Sequence, residues 1–376
     1  MKSEAQLGES IDRFRRVFWN KETHGRPPLG VVDTDVYLPA RYLKGPFSRE
    51  YVEPADVDPQ KVQTDYEFAF ARRRVWNDDF IPFVAPWRAI PWLEAWCGCP
   101  VRYSKAALTP VPRFATAAEL EMATFPADDR WFACLEQQIR HLLTSLPDDC
   151  WLSPTILRGC SDVLAALRGL EGFACDLYDA QAATERAARQ ISALLWRALD
   201  LHFALVPPKH GGYGHIFGYW APGPTVALQE DVLGLCRPTV FRDLFFYYNA
   251  EIVRRLGPYV IFHLHSTGFQ HYRHVLDIPG LAGLQMTIEA NGPPMAQLAP
   301  VFREILERSR LMIFADHRYA ELEAVLPQLP TAGLYVVVPQ RFISSDGALA
   351  GFLSSVGWRE TRGRRQVRQP LWSAHK

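Results

Sequence analysis

Eight short apolar runs punctuate this chain, and helical periodicity fills the gaps between them. The runs are residues 28–33 (PLGVVD), 80–86 (FIPFVAP), 154–159 (PTILRG), 214–218 (GHIFG), 259–265 (YVIFHLH), 281–289 (LAGLQMTIE), 311–317 (LMIFADH) and 334–339 (LYVVVP). Several are apolar without alternation, which is how a strand buried on both faces reads. Helical spacing marks 61–76, 182–206, 239–256, 295–310, 319–329 and 346–356, and 117–146 has room for two helices. The stretch 182–206 is the clearest, with an apolar stripe and charges opposite it. Pro238 stands just ahead of 239–256, where a missing N–H costs nothing.

Alternating strands and helices predict a parallel sheet with helices outside it. Eight such units favour a closed ring over an open sheet. No G-x-G-x-x-G follows the first run, which counts against a dinucleotide fold. The expected fold is therefore α/β, a single (β/α)8 TIM barrel over residues 1–358. The long gap between the second and third runs predicts an inserted subregion around 90–150. Residues 359–376 (RETRGRRQVRQPLWSAHK) are basic and lack apolar periodicity. They read as a solvated tail, with a partner-binding arm as the alternative.

Charge and cysteine content narrow the setting. Lys plus Arg and Asp plus Glu number 41 each, so nothing favours nucleic acid or an anionic membrane as partner. The seven cysteines are scattered and odd in number, which argues against a disulfide framework and for a cytoplasmic setting. The first residues, MKSEAQLGESIDRFRRVFW, lack the apolar core of a signal peptide. No run approaches the roughly 18 apolar residues of a membrane span.

In a barrel the chemistry gathers at the C-terminal ends of the strands. That rule selects Asp33, Arg88, Arg158, His215, Tyr219, Trp220, His263, His265, Glu289, Asp316, His317 and Arg341. His263-Leu264-His265 is the sharpest signal, because an i, i+2 pair on a strand points both rings to one face. The two imidazoles could share a divalent metal such as zinc, with Glu289 as an oxygen ligand or general base. They could equally be metal-free pocket residues or structural ones. Asp316 beside His317 suits a general base, although neighbours on a strand point opposite ways. The aromatic segment GYGHIFGYWAPGPTVALQED could wall a pocket, with Gln229 and Asp231 as polar anchors. Cys97-Gly98-Cys99 has no second pair at zinc-finger spacing. Neither G-x-S-x-G nor a P-loop occurs, which removes two common enzyme classes.

Several segments together resemble the uroporphyrinogen decarboxylase superfamily, which includes cobalamin-dependent methyltransferases. Residues 13–30 (RFRRVFWNKETHGRPPLG) resemble its helix and "DRPPL" entry to the first strand. Residues 80–113 resemble the stretch leading to its "G-C-x-V" turn, and 156–179 (ILRGCSDVLAALRGLEGFACDLYD) its "G-P-x-D" helix. His263–Gly268 and Leu284-Gln285-Met286 stand where an uncharacterised branch reads "H-L-D-G-P-G" and "I-Q-W". The decarboxylases bind substrate carboxylates through an "R-Q-A-G-R-Y" loop; here the region reads DTDVYLPARYLKG, with Arg41 alone to stand in. The zinc methyltransferases use H-x-C and a later Cys; here His265 stands at the first Cys and the last strand has none.

The resemblance implies methyl or one-carbon transfer on a small organic substrate; the H-x-H at a strand end adds the expectation of a divalent metal at His263 and His265, with Glu289 as third ligand or general base, a centre different from the family's thiolate set. Asp33, Arg41, Arg88, Arg158, His215, Tyr219, Trp220, Gln229 and Gln285 would bind substrate, and Asp316 and His317 would join the catalytic set. The alternatives are a cofactor-free carboxy-lyase and a non-catalytic barrel that binds a corrinoid protein. A homodimer is implied by the resemblance alone.

Overall fold

The structure is a computed structural model and describes residues 2–32, 50–72, 75–104, 107–125 and 129–358. Its parallel strands are β1 Leu29–Val32, β2 Phe83–Val84, β3 Trp151–Leu152, β4 Ala227–Gln229, β5 Ile261–His265, β6 Gly283–Thr287, β7 Leu311–Phe314 and β8 Leu334–Pro339. Six of them form one sheet in the order β1-β8-β7-β6-β5-β4, with every pairing parallel. β2 and β3 form a separate parallel pair.

The sequence of β7 and β8 explains their depth. LMIF and LYVVVP are buried at every position, and successive side chains feed two different cores. Leu284, Met286, Ile313 and Val336 join the large cluster shared with the helices. Ile261, Met312, Phe314, Tyr335 and Val337 face the other way, into a second cluster with Phe14 and Phe18 from the N-terminal helical segment.

Side chains bridge the two sheets at both edges. Beside β1, the Asp79 N–H donates to Leu29 O at 2.7 Å, while Asp79 Oδ2 accepts from Leu29 N (2.9 Å) and Asp78 Oδ2 from Val31 N (2.7 Å). Arg26 and Arg13 pair with Asp79, and Lys2 with Asp78, so the carboxylates are buried with their countercharges. Beside β4, Ser153 Oγ accepts from Ile216 N at 3.0 Å and His215 Nε2 from Ala227 N at 3.1 Å.

Two predicted strands lie elsewhere. The third is Trp151–Leu152 rather than 154–159, because Pro154 has no N–H for a ladder and Gly159 is already the cap of helix Cys160–Arg168. The fourth is Ala227–Gln229 rather than 214–218. Tyr213–Gly214 instead pairs antiparallel with Trp220–Ala221, turning through Gly218 at φ 70°. That hairpin fills the inner core: Tyr335 Oη donates to Gly218 O at 3.0 Å, and any side chain at Gly218 would collide with the Phe80 ring.

Between β2 and β3 lie helix Trp92–Trp96, an antiparallel pair Val101–Ser104 and Ala107–Pro110, and helices Ala117–Met122 and Asp129–Thr144. Residues 359–376 lie outside the described residues. Among those described, no helix is long and apolar enough to cross a membrane.

Candidate metal centre

The register of three strands builds one polar row. His263 on β5 lies opposite Gln229 on β4 and Gln285 on β6, and His265 lies opposite Thr287. Alternation puts His263 and His265 on the same face, with ring centroids 4.7 Å apart. Phe217 of the inner hairpin stacks on His263 and forms the floor beneath it (centroids 5.5 Å apart).

Asp231 follows β4 directly, at the start of the 3-10 turn Asp231–Leu235. Its Oδ1 lies 3.6 Å from His263 Nε2 and 3.7 Å from His265 Nε2. The two Nε2 atoms are 3.1 Å apart. Ligand atoms about 2.0–2.1 Å from a tetrahedral zinc sit about 3.3 Å from each other, so this spacing suits a shared ion. Asp231, His263 and His265 are the cluster among the described residues whose donor atoms converge closely enough to hold a metal.

The far sides of both rings are engaged. Gln285, fully buried, donates from Nε2 to Thr287 Oγ1 at 3.0 Å. Its Oε1 is thereby turned to accept from His263 Nδ1. Glu289 Oε1 lies 3.0 Å from His265 Nδ1, and its other oxygen accepts from Thr267 Oγ1 at 2.6 Å. Gln285 Oε1 at His263 Nδ1 and Glu289 Oε1 near His265 Nδ1 suit protons on those two atoms, the tautomers that would turn both Nε2 lone pairs toward Asp231.

Electrostatics follow the same geometry. Burial holds His263 below the ordinary imidazole range, against the pull of Asp231. The contact with Asp231 raises His265, with Glu289 adding to it. Burial works against ionisation of Asp231, but His265, His263 and Arg158 together hold its carboxyl below the usual range. The site thus draws a positive charge to the space between the Nε2 atoms.

The other candidate residues are distributed around this centre. Gln229 Nε2 donates to Asp231 Oδ2 at 3.2 Å, so it belongs to the cluster. Arg158 is tied to the buried Glu94 at 2.6 Å and acts on Asp231 through its charge. Arg88 is buried over the Phe83 ring. His215, Tyr219 and Trp220 are interior: His215 stacks on Tyr219, and burial beside Arg88 pushes its imidazole down to about 3. Asp316 and His317 form a second group after β7, 3.5 Å apart, with Arg341 bound to Asp316 Oδ1 at 2.9 Å. Asp33 and Arg41 lie outside the described residues. Asp231, which the sequence presents only as a loop anchor, is the third member of the cluster. Its signal was the tripeptide ALQ just before Glu230-Asp231, too short to read as a strand.

No family model matches the sequence, and no curated protein matches it significantly. Among solved structures the chain is similar to a methyltransferase from Methanosarcina mazei, with a TM-score of 0.60 over 93% of this chain and 98% of that one, at 12% identity. Likeness at that identity is one of fold: both chains share a parallel α/β architecture along nearly their whole length.

Proposed function

We propose that this chain is a metal-dependent methyl-transfer enzyme of the uroporphyrinogen decarboxylase and cobalamin-dependent methyltransferase superfamily, acting on a small organic substrate. In this reading the eight parallel strands form one (β/α)8 ring, joined at its two weak edges by Asp78, Asp79, Ser153 and His215. The observation that carries the reading is the convergence of Asp231, His263 and His265 at the C-terminal ends of β4 and β5. The fold likeness to a methyltransferase and the sequence resemblance supply the reaction class.

The ligand set is two imidazoles and one carboxylate, with Glu289 behind His265 rather than in the set. A divalent ion there would act as a Lewis acid that polarises the substrate or holds its leaving heteroatom. The protein's own groups do the positioning: Gln285 and Glu289 fix the rings, Gln229 steadies Asp231, and Phe217 closes the floor. The carboxy-lyase alternative has less support, because Arg158 and Arg341 are already paired with Glu94 and Asp316.

The test has two parts. Elemental analysis of the purified protein, with zinc titration of wild type, Asp231→Ala and His263→Ala, is expected to give one ion per chain in wild type alone. Incubation with methylcobalamin and small thiol, amine or alcohol acceptors is expected to release cob(I)alamin, read by its absorbance. Metal-free wild type, with ligand binding intact in His263→Ala, would remove the metal from the reading. Binding of a corrinoid protein without turnover would leave a binding barrel.

A further inference from the structure

The carboxylate of Asp231 reaches the imidazoles from a turn whose position is set by a different helix. Helix Cys160–Arg168 begins at Gly159, which has no side chain to cap it. Its first free N–H groups are taken instead by Glu230, from nearly seventy residues away. Glu230 accepts from Cys160 N (3.2 Å), Ser161 N (2.7 Å), Ser161 Oγ (2.6 Å) and Asn249 Nδ2 (2.8 Å), and is itself 2% exposed.

The favour is returned. Asp162 is the third residue of that helix, where an acidic side chain in a capping box would bend back to its own cap. Here it accepts from Asp231 N at 3.0 Å and Val232 N at 2.8 Å, the first N–H groups of the 3-10 turn. Each element therefore caps the other. The two approach so closely that any side chain at Gly159 would collide with Gln229 O and the Glu230 carboxyl group. Residues 229–231 are gripped on both sides, and Asp231 lies between the grip and the two imidazoles.

We infer that Asp162 and Glu230 are positioning residues, which hold Asp231 against His263 and His265 and so set the strength of the metal site from helix Cys160–Arg168. The inference rests on the metal reading for its consequence, and on the exchanged caps for its geometry. Asp162 holds the backbone N–H groups of Asp231 and Val232, and its buried carboxyl group is also repelled by that of Asp231, so exchange at the two amides is the readout that isolates the positioning role.

The experiment uses the full chain carrying Asp162→Ala, with Asp162→Asn as the milder variant that keeps one acceptor. Asp176→Asn serves as a control, since it breaks a comparably buried ion pair, to Arg168 at 2.5 Å, away from Asp231. Amide exchange is read on metal-free protein, and zinc affinity by competition with a chromogenic chelator. Asp162→Ala is expected to speed exchange at Asp231 and Val232 at least about tenfold. It should weaken zinc about ten- to a hundredfold, the usual effect of losing a group that orients a ligand. Asp162→Asn should fall between, and carries the test alone if the alanine variant does not fold. Asp176→Asn should lower the melting temperature with wild-type zinc affinity.

Unchanged exchange at those two amides overturns the inference whatever zinc does. So does wild-type zinc affinity in Asp162→Ala, or an equal loss in the control. If wild type takes up no zinc, the metal reading fails by itself, and the exchange measurement still decides the positioning role.

Discussion

Asp79→Asn tests whether the edge beside β1 is held by charge. Asp79 is 1% exposed at its side chain and Arg26 is 5% exposed, with Oδ2 and Nη1 2.5 Å apart. Arg13 and the Leu29 N–H share the same carboxylate. Asparagine keeps the shape and one acceptor but removes the negative charge that Arg26 and Arg13 share in the interior. Breaking a buried pair in this way costs about 3–5 kcal/mol, whereas an exposed pair costs under about 1 kcal/mol. The measurement is equilibrium urea unfolding at pH 7, followed by tryptophan fluorescence. Adding Arg26→Met should recover part of the loss, because the more deeply buried of the two guanidiniums facing the lost charge is then removed, so the double variant should lie well below the sum of the singles. Acid provides an independent check. Burial would raise the Asp79 carboxyl, but Arg26, Arg13, Lys2 and the Leu29 N–H together hold it below its ordinary value of 3.8. A depressed carboxyl contributes stability above its unfolded value and loses it as pH falls through the folded one. Wild type should therefore lose stability below about pH 4, and Asp79→Asn should lose less over the same range. A cost below about 1 kcal/mol would mean that solvent reaches Arg26, and the edge would have to be held some other way.

Three further outcomes are expected. Glu289→Gln should weaken zinc about ten- to a hundredfold in a chelator competition while leaving one ion per chain, since it loses an orienting charge and keeps the ligands. His265 is raised by Asp231, so in metal-free protein it stabilises the fold at pH below its unfolded value near 6.5 and less as pH rises through the folded one; zinc uptake must displace that proton and should strengthen over the same rise, which isothermal titration in buffers of different ionisation heat reads as proton release. Gly218→Ala should lower the thermal midpoint markedly and cost at least about 1–3 kcal/mol, because φ is 70° and the added methyl meets Phe80.

What the sequence made legible follows from how each strand is stabilised. β1, β7 and β8 are almost wholly apolar because they are covered on both faces, and β5 and β6 keep apolar residues on every second position, so such runs are visible without structure. β3 and β4 have two and three residues, and beside them side chains stand in for a ladder. Nothing in their composition announces a strand, so the louder aromatic run 214–218 was read as one. That displacement had a chemical consequence. With the strand placed at 214–218, His215, Tyr219 and Trp220 stood at the rim and Asp231 stood in a loop. With the strand at Ala227–Gln229, the first three are interior and Asp231 lies just past the strand's C-terminal end. The pair His263 and His265 was legible because a period of two on a buried strand is unambiguous about facing. The contacts at their Nδ1 atoms come from Gln285 and Glu289, one strand away, and no local pattern encodes that pairing.

Under the proposed metal reading, the arrangement of the ring protons is what would separate a ligand pair from two ordinary buried histidines. A buried imidazole that serves only packing satisfies one nitrogen as donor and the other as acceptor. In His263 and His265 the two Nδ1 atoms lie near oxygens of Gln285 and Glu289; with the ring protons there, both Nε2 atoms would be acceptors 3.1 Å apart. Two lone pairs at that distance repel unless something positive lies between them, and Asp231 adds a third acceptor to the same space. A proton answers the need only in part, since it bonds to one nitrogen and leaves the other acceptors facing it. A divalent cation answers all three at once, and the positive charge offsets the carboxylates of Asp231 and Glu289. The structure therefore makes opposite demands on the metal-free protein at its two pH extremes. In the proposed metal reading, acid places on His265 a proton that Asp231 favours and that competes with a cation, while higher pH would leave the three acceptors free to hold one.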